Sequence, residues 1–273
     1  MKIYSPSQVI LSLLALTAVV LGYLFIVKGI GSQHWFLLIV VAAIAVYVVK
    51  AQLDYWWHTK NPVELDAEVI HYLEQRNTFY QSLENEDRKE FRDRLSLYLE
   101  GRLFEGIAKE KKRVPEDIKV LVAVHAVEVG MKQEDVLIGD FDRIFLYQHP
   151  FGSPNKQFLH IVETEIEDGV IILMTPYLIN AIHHPTQYYN IAYHAFAEAL
   201  VKQNPQWDLS CLDTLDWEDV EKISGFKKAR LLKALGYEQY DLVPIVLSLY
   251  HSHRERFEEE LPEIKKELQQ YFA

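Results

Sequence analysis

The first 53 residues carry only three charges, Lys2, Lys28 and Lys50. No other feature narrows the fold as much, because two adjacent charge-free segments of this length are rare in soluble domains. From Gln8 to Val27 the run QVILSLLALTAVVLGYLFIV is uncharged and about as long as a helix must be to cross a bilayer. Lys28, Gly29, Gly31 and Ser32 interrupt it. A second apolar run, Trp35 to Val49, extends to Leu53 if the Lys50 ammonium reaches out to the interface. Trp35, Tyr47 and the Tyr55-Trp56-Trp57 cluster sit where amphipathic rings favour the headgroup region. A cleaved signal peptide fits poorly, since the first run is too long, lacks a small-residue cleavage site and leads straight into the second. We therefore expect an integral membrane protein with a two-helix transmembrane hairpin, residues 8–27 and 35–53. Lys2, Lys50 and Lys60 at the ends of the hairpin, against Lys28 in its loop, place both ends and the large domain in the cytoplasm.

Residues 54–273 are different in kind: charged, aromatic and long enough to bury a substantial core. The whole chain carries a net charge of −11. With the three amino-terminal lysines set aside, the remainder carries about −14, which repels phosphate backbones and excludes nucleic acid as an expected partner. Cys211 is the one cysteine, so neither an intrachain disulfide nor a cysteine-rich zinc site can form. It stands among acidic residues in DLSCLDTLD, which hold a thiol protonated rather than activate it.

Periodicity divides this part into helices, a short block of strands, then helices again, an α+β domain. Asn61-Pro62 opens a helical pattern through Leu65, Val69, Tyr72 and Leu73, with Pro62 suited to a first helical position. Glu86 to Ile107 reads as an amphipathic helix, and Lys109 to Arg113 as a solvated basic loop. Pro115-Glu116-Asp117 starts a third helix closed by Gly130. Strands are expected at Arg143–Gln148, Phe158–Glu165 and Val170–Met174, the last two joined by a turn at Glu167-Asp168-Gly169. Helices follow near Tyr177–Ile182 and at Gln187–Lys202, Glu218–Leu235, Leu242–Arg256 and Pro262–Phe272. His125 reads as a partnered core histidine, His183-His184 as a polar turn, and His251 and His253 as surface residues.

The segment Asn190-Ile191-Ala192-Tyr193-His194-Ala195-Phe196-Ala197-Glu198-Ala199-Leu200 is the informative one. It resembles the helix N-V-x-x-H-E-F-A-H-x-L-D of the Mlc titration factor A family of zinc-dependent peptidases, with Asn190, His194, Phe196, Ala197 and Leu200 in the expected places. FYQSLENEDRKEFRDRLSLYLEGRLFEG, VLVAVHAV, IFLYQHPF and LSLYHSHRERFEEELPEIKKELQQYF resemble other parts of that family in the same order, from about Tyr72 to Phe272. The resemblance implies a zincin-like, mostly helical domain with a small sheet; the amino-terminal hairpin has no counterpart in it.

An active H-E-x-x-H helix puts two histidines on one face to bind zinc, with the glutamate taking a proton from the zinc-bound water. Here His194 keeps the first position, Ala195 replaces the glutamate and Glu198 replaces the second histidine. A methyl group cannot accept a proton, and loss of the base alone costs about 10²–10⁴ in rate. Registering the family's ending on Pro262 puts Asp241 at the position of its third ligand, so the resemblance implies that zinc or another divalent metal, if held, is bound by His194, Glu198 and Asp241. Read from the residues alone, His194 and Glu198 four apart on a helix are more simply a charge-assisted pair. We expect no cofactor and a catalytically inactive binding or regulatory protein, contacting a protein or peptide. The alternative is an active metal-dependent peptidase on a rearranged site.

Overall fold

A computed structural model describes residues 5–29, 33–107, 113–154, 156, 158–236 and 241–273, and divides the chain into two compact units, 1–63 and 64–273. Most of the Lys109–Arg113 basic run lies outside the described residues.

In the first unit, helix α1 spans Pro6–Lys28, α2 Gln33–Val48 and α3 Lys50–Lys60. Ser5 caps α1 by accepting from the Gln8 N–H, Pro6 supplies the first-turn φ, and Gly29 at φ +64° ends it. At 1.5 Å per residue α1 is about 35 Å long, enough for a bilayer core of about 30 Å; its mean hydropathy is 2.6. The second apolar run departs from expectation. Instead of one helix to Leu53, the chain bends by 63° between α2 and α3. Alone, α2 is about 24 Å long. The break falls at Val49, whose backbone (φ −94°, ψ 11°) leaves the helical range, just before the polar α3 sequence begins. Among the described residues, α1 is thus the one helix long and apolar enough to span a membrane, with α2–α3 a second span only as a bent pair. Asp54 accepts from the Ser7 backbone N–H at 3.0 Å and its hydroxyl at 2.7 Å, joining the start of α1 to α3.

The second unit is mostly helical with a small mixed sheet. It opens with α4 (Ala67–Arg76), α5 (Thr78–Ser82) and α6 (Asn85–Gly101). Residues 61–66 are not helical, so Pro62 is not a first-turn proline; Asp66 precedes the helix instead. The expected helix Glu86–Ile107 also ends early, because Leu103–Ile107 becomes strand β1. This short segment is recruited by a neighbour far away in sequence: β1 pairs in parallel with β2 (Arg143–Tyr147). Between them runs α7 (Glu116–Val129), closed at Gly130 as expected.

Strands β3 (Val162–Glu165) and β4 (Val170–Met174) form the expected hairpin. Gly169 in its turn has φ +62°, and a Cβ there would stand 2.4 Å from the Asp140 carbonyl oxygen. Phe158–Ile161 lies outside the strand; only a single bridge joins His160 to Phe151. The order is β1-β2-β4-β3, with β4 parallel to β2 and β3 antiparallel on the edge.

Helix α8 (Thr175–His183) leads to α9 (Ile191–Gln203), which packs on α7 and the sheet. The expected Glu218–Leu235 helix is two helices, α10 (Trp217–Ser224) and α11 (Lys228–Leu235), separated at the left-handed Gly225. The last stretch likewise divides into α12 (Leu242–Ser252), α13 (Arg254–Glu260) and α14 (Pro262–Leu268). Ile191, Ala192, Phe196 and Ala199 of α9 are buried in the same apolar core as Val124 of α7 and Ile245 and Leu249 of α12.

Candidate functional site

Helix α9 begins at Ile191, four residues later than the expected start at Gln187, because Asn190 caps it. The Asn190 side chain accepts from the Ala192 and Tyr193 N–H groups, satisfying two donors that the first turn leaves open. This cap sets the phase of everything that follows. It puts His194 and Glu198 on one side of the helix, with Nε2 and Oε2 3.9 Å apart. Ala195 is fully enclosed in the core, a methyl group where a general base would stand.

His194 is 1% exposed, and its Nδ1 lies 2.8 Å from the hydroxyl of Tyr189. Burial raises the Tyr189 phenol, so the hydroxyl keeps its proton and shares a hydrogen bond with Nδ1. Burial also lowers His194 to about 4, outweighing the opposite pull of Glu198, with Lys156 and Lys202 adding to the depression. The imidazole is therefore neutral at pH 7.

Two ammonium groups complete the arrangement. Lys202, one turn after Glu198, reaches its carboxylate at 3.2 Å and donates to the Thr164 carbonyl at 2.5 Å. Lys156 donates to the Val162 carbonyl at 3.0 Å and the Leu235 carbonyl at 3.3 Å. Burial lowers Lys156, with Glu198 foremost among the groups opposing that. The two carbonyls on β3 are not arbitrary. Met174 donates to Ile161, so Ile161, Glu163 and Glu165 turn toward β4 and the alternate residues Val162 and Thr164 face away from the sheet. The carbonyls by which this edge strand could accept another strand are thus already bonded to lysines, which is one way a sheet edge is blunted.

The sequence-derived site residues are only partly brought together. His194, Ala195 and Glu198 share the α9 turn. Asp241 is exposed and caps α12, accepting from the Val243 N–H at 2.9 Å. Among the described residues, no group of three His, Cys, Asp or Glu side chains is arranged to hold a metal ion. The donor set also speaks against zinc on chemical grounds. Among the described residues, one buried imidazole and one carboxylate bonded to an ammonium give too few donors for a tetrahedral site, and two lysines bring positive charge where a dication would sit. Among the described residues, this donor set does not fit a family zinc ion.

Sequence reasoning missed Tyr189, Lys156 and Lys202. Lys202 was findable, since its four-residue spacing from Glu198 is a helical ion-pair signal. Lys156 comes from a loop 42 residues before Glu198, and nothing local announces it. His251 also departs from expectation: it is buried, not a surface residue, whereas His125 is partnered as expected.

The family model described as glucose-regulated metallo-peptidase M90 matches residues 53–209, more than half of the chain. That span includes Lys156 and all of α9, and ends before α12 and Asp241. No curated protein and no solved structure matches the chain.

Proposed function

Because the chain belongs to the glucose-regulated metallo-peptidase M90 family, we propose that it is a membrane-anchored member that does not hydrolyse peptides and acts by binding a protein or peptide partner. The single observation that carries this reading is the α9 turn: a methyl group at Ala195, and a Glu198 carboxylate paired with Lys202. With a methyl group at position 195, water at such a centre has no base there to take its proton. Assignment to the Mlc titration factor A type rests on the order of the resembling segments.

Anchoring is by α1 and the bent α2–α3 pair as two spans, with the large domain cytoplasmic. The apolar length of α1 and the lysines at the hairpin ends support it. Strand addition at β3 is disfavoured, since its outward carbonyls already have lysine partners.

The test is a proteolysis assay on the full chain in detergent micelles, with unfolded casein as substrate and a chelator as control. No cleavage above background is expected. Robust, chelator-sensitive cleavage would overturn the proposal in favour of a metal-dependent peptidase using His194, Glu198 and Asp241. Protease protection in sealed vesicles tests orientation: digestion of the large domain only from the cytoplasmic face is expected.

A further inference from the structure

The second unit is acidic, yet one face of it is not. Between Glu221 and Leu235 five basic side chains stand against the single carboxylate of Glu221, and residues 150–162 contain Lys156 and no acidic residue. The fold brings these two stretches together. Lys156 donates to the Leu235 carbonyl, which ties the loop between β2 and β3 to the end of α11. Paired backbone bonds between Phe151 and His160, both 2.9 Å, hold the base of that loop.

In this loop Phe158 and Leu159 are 48% and 66% exposed. With Ala229 and Leu232 of α11 they line an apolar groove of about 940 Å³, whose other walls are Glu221, Lys227, Lys228 and Lys233. Single apolar side chains scattered on a surface need no explanation, but an adjacent exposed pair over an apolar groove marks a contact surface. The one acidic wall is already neutralised, since Lys227 pairs with Glu221 at 2.5 Å. Lys228, its ammonium 5.3 Å from the centroid of the Trp217 ring, and Lys233 are exposed beside the groove.

Apolar side chains inside a ring of lysines suit a lipid surface. The rings and methyl groups enter between headgroups, while lysine stems lie along the apolar boundary and their ammoniums stay in the headgroup layer. The charge is complementary to anionic lipid, and each Lys or Arg close to such a surface adds to the attraction. The rest of this acidic unit is repelled by the same surface, so the charge distribution also selects which face approaches. An acidic peptide would meet the same lysines, but a bilayer is the partner that α1 keeps within reach. Tethering turns a weak surface contact into an intramolecular one.

We propose that Phe158 and Leu159, ringed by Lys227, Lys228 and Lys233, dock the second unit on an anionic lipid surface. The inference rests on the membrane anchoring put forward above and is separate from the reading of the α9 motif. It gives the large unit a fixed orientation over the membrane instead of leaving it loose on its tether.

The experiment uses the full chain in lipid nanodiscs, made either of phosphatidylcholine alone or of phosphatidylcholine mixed with phosphatidylglycerol. Cys211→Ser with Leu159→Cys carries an environment-sensitive fluorophore at the groove, and Cys211→Ser with Glu86→Cys carries it on α6, outside the patch. In the anionic discs the label at 159 is expected to shift its emission to the blue and to lose several-fold in quenching by acrylamide. The label at 86 should not change, and high salt should reverse the effect. Adding Lys228→Glu with Lys233→Glu, both exposed positions, should weaken docking about tenfold or more. An unshifted label at 159 in discs that hold the chain would overturn docking and leave anchoring intact, whereas failure of the chain to enter discs of either kind would overturn both. Equal blue shifts in the two kinds of disc, or a shift that survives Lys228→Glu with Lys233→Glu, would show the groove covered by something other than anionic lipid and overturn the proposal.

Discussion

Acid should destabilise the large domain through His194, by an amount that follows from its surroundings. In the unfolded chain this imidazole titrates at its ordinary value of 6.5, and in the fold at about 4. Between those values the unfolded state binds a proton that the native state refuses. The stabilisation is thus fully present above pH 6.5, and is lost as pH falls toward 4. At 1.36 kcal/mol per pKa unit, the loss is about 3 kcal/mol, accruing at up to about 1.4 kcal/mol per pH unit. His125, His251 and His253 are lowered by burial as well and add to the slope. The variant His194→Asn isolates one contribution, because an Asn side chain can still hydrogen-bond to Tyr189 but cannot titrate. The assay is urea unfolding of the full chain in micelles, followed by tryptophan fluorescence from pH 7.5 to pH 4. His194→Asn is expected to be less stable at pH 7.5 yet to lose about 3 kcal/mol less than the unmodified protein across that range. Identical losses in the two proteins would refute the neutral, buried imidazole and the arrangement built on it.

Lys202→Met removes the partner of Glu198 and of the Thr164 carbonyl. With Lys202 about one-third exposed, we expect a loss of about 1–3 kcal/mol, seen as a lower thermal midpoint and partly recovered by adding Glu198→Gln. Tyr189→Phe should cost about 1 kcal/mol in urea unfolding, the worth of one buried hydrogen bond. Gly169→Ala forces a side chain into left-handed backbone against the Asp140 carbonyl and should cost about 1–3 kcal/mol or more by the same measurement. The double change Ala195→Glu with Glu198→His rebuilds the H-E-x-x-H spacing. Calorimetry should show zinc affinity raised at least tenfold, although a glutamate at the enclosed position 195 costs about 1–3 kcal/mol in overpacking.

Much of the fold was legible because local signals and tertiary packing agree. The α7 boundaries follow from Pro115, Glu116, Asp117 and Gly130, and the β3–β4 turn follows from Gly169. Failures came where distant partners decide. Leu103–Ile107 continues a helical pattern in sequence but finds β2 beside it and becomes a strand. The second apolar run reads as one span, but the chain bends at Val49 between α2 and α3. At the candidate site, the altered motif was plain in His194-Ala195-Phe196-Ala197-Glu198, since it depends on spacing within one helix. The carbonyl-capping role of Lys156 and the burial of His251 depend on the assembled fold, where no local period could reveal them.

The central claim is that positive charge beside His194 and Glu198 comes from lysine ammoniums and not from a metal ion. Elemental analysis of the full chain, purified in detergent after growth with added zinc, tests it most directly. The account predicts far less than one equivalent of any transition metal, unchanged in His194→Ala. One tightly held equivalent of zinc, lost in His194→Ala, would contradict it.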